Sequence, residues 1–288
     1  FKITKASMIV SIIIPVYNAE QTIRRSIESV INQKSKNIEL IVIDGKSTDN
    51  TMNIVSKFKH HIDQVISEAD EGYADAFNKG ISIANGEFIM MLAADDRLLP
   101  GAVEKFKESL NSDTEVWCGA VIQKMSYGFR LRKSSPNLNT LRTRCSIENA
   151  ASFYRRSLFI ENGIFNIKYK CAADREMFLR LYLKNVKFQI EQIPIVVFEM
   201  GGLSTFNPEK YAIPEDEAIS IHYGLDPHEV EKASSLVRNV LRREKLRAPL
   251  KKFFAFIGIL VHLYNLFGKS DGLLSKSRLR AYGVLECK

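Results

Sequence analysis

The run "MIVSIIIPV", residues 8 to 16, constrains the fold more than any other stretch of the chain. It is apolar and β-branched almost without a break. A strand solvated on one face alternates polar and apolar residues; this one reads as buried on both faces, as strands of a parallel sheet are. Such a strand needs helices packed above and below it, and the following residues supply them. Ile23, Ile27, Val30 and Ile31 form a helical stripe. "IELIVID" is a second strand and "DNTMNIVSKFKHH" a second helix, with Ile54, Val55 and Phe58 inward. "DQVISE" is a short third strand, "YADAFNKGISIAN" a helix and "EFIMML" a fourth strand. Strand and helix alternate at short spacing, which predicts right-handed βαβ units and an open, mainly parallel α/β sheet with helices on both faces.

Beyond this core, "LPGAVEKFKESL" opens a helix at Pro100 and Gly101, and "TEVWCGAVIQKM" is another strand. Residues 126–150 are polar, basic and poor in periodicity, and read as a long loop. "SLFIENGIF" and "ADREMFLRLYLKN" follow as helices, then "FQIEQIPIVVFEM" as a strand interrupted at Pro194. The expected organisation is one domain over 1–233, with a binding half at about 8–123 and a second half at about 124–233. A basic helical tail, 234–288, completes it.

In open α/β sheets, ligands bind outside the carboxyl ends of the strands. Three polar segments collect there: "PVYNAE", "DGKSTDNT" and "AADD", which bring Asp44, Asp95 and Asp96 to one edge. A dinucleotide-binding domain would carry GxGxxG after the first strand; Pro15-Val16-Tyr17-Asn18 stands there instead, which argues against an NAD-type cofactor. Carboxylates without a glycine loop point to phosphates that arrive partnered by a hard divalent cation, Mg²⁺ or Mn²⁺.

"SIIIPVYNAEQTIRRSIESVINQ", "IELIVIDGKSTDNT", "ADEGYADAFNKGISIANGEFIMML", "AADD" and "CAADREMFLRL" together resemble the family 2 glycosyltransferases of the GT-A, Rossmann-like fold. The likeness runs from about Met8 to about Ser204 and is nearest to bacterial enzymes that build surface polysaccharide. It implies a role for each matching residue. Pro15, Val16, Tyr17 and Glu20 would cradle the nucleoside; alone they also describe a strand terminator with a packed tyrosine. Asp44 would accept a hydrogen bond from the base, or form a turn before Gly45. Asp49 and Thr51 would cap the next helix. Lys79 would lie near the donor phosphates, or simply pair with Asp75 four residues earlier. The family's DXD metal motif falls on Ala94-Asp95-Asp96, with its first acid replaced by alanine. Asp95 would face the ribose or sugar and Asp96 would hold the metal, the alternative being a solvated Asp-Asp turn. Asp174 matches the acceptor-side catalytic base, or caps its helix. Asn149 stands where relatives often have His, and His222 is either a late metal ligand or ordinary packing.

The implied function is an inverting, metal-dependent hexosyltransferase that moves a sugar from a nucleotide-diphospho-sugar to a hydroxyl of a glycan or lipid-linked acceptor. The alternatives are a catalytically degenerate scaffold of the same fold and a basic nucleic-acid-binding protein; the absence of a recognition motif weighs against nucleic acid. The net charge of +8 is unevenly placed. Residues 124–156 carry eight Lys or Arg against one Glu, and 234–288 carry twelve against three Asp or Glu. The first segment reads as a flap over an anionic acceptor or as a solvated loop. In the tail, the 15 mostly apolar residues from Phe253 to Phe267 are too short to span a bilayer, which takes roughly 20. They read as an interfacial membrane helix, or as one docked on the domain or on a second copy in a homodimer. Cys118, Cys145, Cys171 and Cys287 lie far apart, and the first residues carry no signal-peptide pattern. Both fit a cytoplasmic protein, peripheral on the inner face of the plasma membrane if the tail reaches it.

Overall fold

A computed structural model describes residues 9–33, 35, 37–125, 128–201, 209–239, 242 and 274–284. The apolar stretch Phe253–Phe267, on which the membrane and dimer expectations rest, lies outside the described residues, as does Cys287. Among the described residues, no helix is long and apolar enough to cross a membrane.

The first strand, β1 (Val10–Val16), is buried along its length except at Pro15, as its unbroken apolar run requires. It pairs in parallel with β2 (Ile38–Asp44) on one side and β4 (Phe88–Met91) on the other, and β2 pairs in parallel with β3 (Gln64–Ser67). Helices α1 (Ile23–Ile31), α2 (Thr51–Ser56) and α3 (Tyr73–Ile83) connect them. The order β3-β2-β1-β4 reverses direction between β1 and β4. A crevice therefore opens between their carboxyl ends, the usual ligand position in such sheets. The second helix is shorter than its periodicity predicts, because residues 57–61 continue only as turns. Phe58 still packs half-buried against the core.

The second half departs from the expected reading in three ways. The segment 126–150 is not simply a loop: β7 (Gly128–Lys133) forms an antiparallel hairpin with β6 (Val116–Met125). Alternating Phe129 and Leu131 pack inward while arginines point outward, a pattern too short to register as periodic. A four-residue strand, β8 (Ser152–Arg155), lies antiparallel between β4 and β6. It was hidden within a stretch whose charged flanks resemble a helix. And β9 (Phe188–Glu199) runs through Pro194 as one strand parallel to β6, absorbing the mismatch as a register shift beside Ala120.

Strand β5 (Arg97–Leu98) pairs antiparallel with β9, giving a single nine-stranded sheet among the described residues. Helix α4 (Ala102–Ser109) packs Phe106 against Phe153 in a stack 3.9 Å between ring centroids, with Trp117 edge-on at 5.5 Å. Between β7 and β8 the chain makes a surface loop whose neck is closed. The Ser135 amide donates to the Ser146 carbonyl (2.8 Å), the Glu148 amide to Ser134 Oγ (3.0 Å), and Ser134 Oγ to the Gly119 carbonyl (2.9 Å). Helices α5 (Ser157–Asn162), α6 (Ala173–Leu183) and α7 (Ala212–His222) cover the other face. Residues 274–284 return to the domain: Leu279 and Val284 pack on Leu99, Ile122 and Val197.

Candidate functional site

The loops after β1 and β2 are sewn together. Asn18, held at φ +47°, accepts from the Thr48 amide with its side-chain oxygen (2.8 Å) and donates its own amide to Ser47 Oγ (2.9 Å). Glu20 and Asp49 exchange bonds, the Glu20 amide to Asp49 (3.1 Å) and the Asn50 amide to Glu20 (2.9 Å). Asp49 also accepts from the Thr51 amide (2.9 Å), but Asn50, not Asp49 or Thr51, occupies the cap position of α2, and Thr51 Oγ1 accepts from the Ala19 amide (2.8 Å). Glu20 thus serves as a strap between loops. Pro15 and the buried Val16 floor this edge, and Tyr17 stands 62% exposed above it.

Asp44 has no exposed surface. Both its oxygens accept from the Ser47 amide (3.1 and 3.2 Å), and one accepts from Ser67 Oγ (2.6 Å). Two donors, the shared Ser47 N–H and the Ser67 hydroxyl, therefore fix the carboxylate, so Asp44 holds the loop after β2 to the end of β3. Gly45 beside it leaves room for the Asp70 carboxylate, which a Cβ there would displace. Lys79 makes the expected pair with Asp75 (3.4 Å), and its ammonium also donates to the Ala69 carbonyl (2.7 Å) and pairs with Glu68 (3.0 Å). These contacts tie Lys79 to the loop after β3.

Across the crevice, the buried Ala94 is followed by half-buried Asp95 and by Asp96, which is 1% exposed. Asp96 Oδ1 accepts from the Glu199 amide (2.9 Å), while Oδ2 is buried with no hydrogen-bond partner. Burial, then the neighbouring Asp95 charge, hold the Asp96 carboxyl well above the usual carboxylate range; Asp95 is raised by burial and by Glu199. Among the described residues, no three His, Cys, Asp or Glu side chains converge as a metal cage. An orphaned, buried carboxylate oxygen beside two further acids nevertheless suits one or two protein ligands to a hard cation, with water and phosphate completing its shell. Glu199, at the end of β9 and paired with Lys124 (2.8 Å), was not anticipated.

Asp174 lies in the first turn of α6. Ala172, not Asp174, occupies the cap position; Asp174 Oδ1 accepts from the Arg175 amide (2.7 Å). Its other oxygen is 4.0 Å from the Cys145 thiol. Burial pushes the Asp174 carboxyl up to about 6, against the partial opposition of that amide and of Arg132 and Arg175. The adjacent Ala173 amide donates to Tyr73 Oη (3.1 Å), the first residue of α3, which joins this helix to the same sheet edge as the donor-side loops.

The turn before α6 is shaped by Glu215, whose carboxylate accepts the amides of Lys170, Cys171 and Ala172 at 2.7–2.8 Å. Arg175, wholly buried, donates to the carbonyls of Leu141, Arg142 and Asp216 and to Ser220 Oγ. It thereby fixes the loop between β7 and β8 beside α6. Asn149 accepts from Tyr154 Oη (2.8 Å). Glu176 is bound by Arg180 and Tyr223 and is structural, and His222 is exposed beside Tyr223. Tyr73, Cys145, Glu148 and Glu215 around Asp174 carried no signal in the sequence, because no local spacing links them.

Comparisons with known proteins identify the family and the fold. Residues 11–180 match the family model for glycosyl transferase family 2. A Mycobacterium bovis (strain BCG / Pasteur) protein named PGL/p-HBAD biosynthesis glycosyltransferase is 31% identical over 209 residues, covering 69% of this chain and 80% of that one. The crystal structure of Staphylococcus aureus TarS 1–349 with UDP superposes with a TM-score of 0.59 at 19% identity, over 79% of this chain and 70% of that one. Against the longer TarS chain the share covered is 43%. The mannosyltransferase PcManGT of Pyrobaculum calidifontis, solved with GDP-Man and Mn²⁺, gives 0.59 at 16% identity, over 96% and 79%. The chain, a curled α/β sheet with its acidic edge at the β1–β4 crevice, belongs to the family 2 glycosyltransferases.

Proposed function

We propose that this protein transfers a hexosyl unit, with inversion, from a nucleotide-diphospho-sugar to a hydroxyl of a glycan or lipid-linked acceptor in cell-surface polysaccharide synthesis. The observation that carries the reading is Asp174: a carboxylate at a helix start, on the sheet edge of the β1–β4 crevice, with its pKa lifted to about 6. A base must hold a proton affinity close to the working pH to be effective, and an ordinary exposed aspartate does not.

In this reading Tyr17, Pro15 and Val16 contact the nucleoside on loops that Glu20 and Asp44 hold in place. Ala94 leaves room beside the chain for the ribose and sugar, and Asp95 faces them. Asp96 holds Mg²⁺ or Mn²⁺, which would supply positive charge to the diphosphate side of the site. Asp174 removes the proton of the attacking hydroxyl, so that one displacement from the opposite face inverts the anomeric carbon without a covalent enzyme intermediate. The relatives support the cellular setting through their names, and solved neighbours with UDP, UDP-GlcNAc and GDP-Man support the donor class. The same reading divides the chain into donor-side and acceptor-side halves near residue 124 and sets 234–288 apart as a basic tail. That tail gives it a place at the inner face of the membrane.

The test is a thermal-shift panel of UDP-, GDP- and dTDP-sugars with and without Mn²⁺. Binding to the folded state raises the melting temperature; one nucleotide class should stabilise the protein, and more so with the metal. A flat response across the panel would refute the donor assignment.

A further inference from the structure

A cavity of about 220 Å³ opens beside Asp174, lined by Arg132, Lys133, Ser135, Arg144, Cys145, Ser146 and Glu148. Its volume is below the roughly 300–1,000 Å³ typical of a whole small-molecule site, so it fits one group of a larger ligand. Three cations line it against a single carboxylate. Glu148 is already paired with Arg132 at 2.5 Å. Lys133 and Arg144 have no ion-pair partner among the described residues, and both are exposed. With Asp174 4.0 Å behind Cys145, the net charge around the cavity is about one to two positive units, and the separate donors of Lys133, Arg144 and Ser146 suit the three acceptor oxygens of a phosphate better than the two of a carboxylate.

A second observation is independent of charge. Ser146 Oγ is buried at this cavity and has no hydrogen-bond partner, although an unsatisfied buried hydroxyl is costly; Glu148 Oε1 is likewise buried without a hydrogen bond, but its charge is met by the Arg132 ion pair. A phosphate oxygen would satisfy it. The cavity also connects to the chemistry: Cys145, one of its walls, carries the thiol that approaches the Asp174 carboxylate at 4.0 Å. A group seated here places the rest of its molecule within reach of the base.

We propose that this cavity is an acceptor subsite for a phosphate group carried by the acceptor, bound by Lys133, Arg144 and Ser146. This rests on the assignment of Asp174 to the acceptor side. The donor diphosphate belongs at the β1–β4 crevice, so the two phosphate sites are separate and fill independently.

The experiment titrates full-length protein with glycerol 1-phosphate and with octyl phosphate by ³¹P NMR or calorimetry, using glycerol as the uncharged control. UDP is titrated in parallel. Both phosphates should bind saturably and glycerol should not; the tighter of the two identifies a polyol or a lipid carrier. Lys133→Ala and Arg144→Ala, at exposed and unpaired side chains, should each weaken the phosphate probe roughly tenfold, the scale of one charge-assisted hydrogen bond. Ser146→Ala should weaken it several-fold, and UDP affinity should stay unchanged in all three. The proposal is overturned if neither phosphate binds, if the variants bind as the wild type does, or if UDP displaces the probe. Failure of the donor reading shows up separately, as absence of UDP and nucleotide-sugar binding with the phosphate response intact.

Discussion

At the scale of single residues, two carboxylates hold unfavourable positions in the folded protein. For Asp174 the folded pKa, about 6, stands above its ordinary value near 3.8. Between those values the folded state binds more protons than the unfolded one, so this group's contribution to stability is present below pH 4 and is lost as pH rises to 6. Asp174→Asn should therefore melt higher than wild type above pH 6, by on the order of 1–3 kcal/mol. It should also transfer sugar roughly 10²–10⁴ times more slowly, with donor affinity unchanged. In the wild type, activity should climb through pH 6 on its acid side; that limb should vanish in the variant. A cap role predicts neither change, since Asn caps about as well as Asp. Measuring pH–rate profiles and melting curves on both proteins separates the two. Asp96 obeys the same sign: its raised pKa means that metal-free stability falls as pH rises above the carboxylate range. Asp96→Asn keeps the bond to the Glu199 amide and should raise metal-free stability, while any gain in donor affinity on adding Mn²⁺ should disappear. Wild-type Mn²⁺ dependence of donor binding in that variant would move the metal elsewhere.

Among the elements, packing distances decide the outcome of substitution. Gly80 lies in α3 with Ile13 of β1 against it; a Cβ at 80 would fall 2.5 Å from Ile13 Cγ2. Alanine favours a helix over glycine by about 1 kcal/mol, but overpacking a rigid core costs about 1–3 kcal/mol. Ile13 is completely buried and cannot swing away. Gly80→Ala should thus destabilise the protein on balance, read as a lower urea midpoint. Arg175→Leu removes one partner of the buried pair with Asp216 and strands three carbonyls. A loss of about 3–5 kcal/mol is expected, together with release of the loop between β7 and β8, visible as faster amide exchange at residues 138–142. The elements also show where reading a sequence succeeds. The strands β1 and β2 and helices α1 and α3 were legible because their apolar residues follow the element over a long run, and the four-residue β3 and β4 because they fall between helical stripes in the βαβ alternation. β7 and β8 were not: each contributes only two to four inward residues outside that alternation, and β8 is specified by partners distant in sequence, as Phe153 is by Met90 and Trp117. The site divides in the same way. Asp95, Asp96 and Asp174 stand at element ends and follow from periodicity plus family pattern. Glu199, Tyr73 and Glu215 reach it only through tertiary pairing, which leaves no trace in local spacing, and the same kind of contact buries Asp44.

For the whole molecule, residues 274–284 matter because they pack on the sheet far in sequence from the strands they cover. Leu279 is 4% exposed and covers Leu99, Ile122 and Val197. Leu279→Ala should cost about 2–5 kcal/mol if this docking is as well packed as a core, and Leu279→Asp should detach the segment and raise its susceptibility to protease. The proposed membrane contact of the tail is a separate matter from this docking. Sedimentation with anionic liposomes, before and after removal of residues from about 248 onward, tests that function directly; full retention of the shortened protein on liposomes would place the membrane contact elsewhere.

The grip of Arg175 has one more consequence. It holds the loop between β7 and β8 by the carbonyls of Leu141 and Arg142, and the neck of that loop is closed largely by main-chain groups of residues 135, 146 and 148. Apart from the Ser134 hydroxyl, which the neck uses, those anchors are main-chain groups present whatever side chains the loop carries. The path of this segment is thereby decoupled from its composition, so it behaves as an exchangeable cassette: its lettering can be rewritten for a new acceptor while the scaffold, the donor crevice and the position of the base stay where they are.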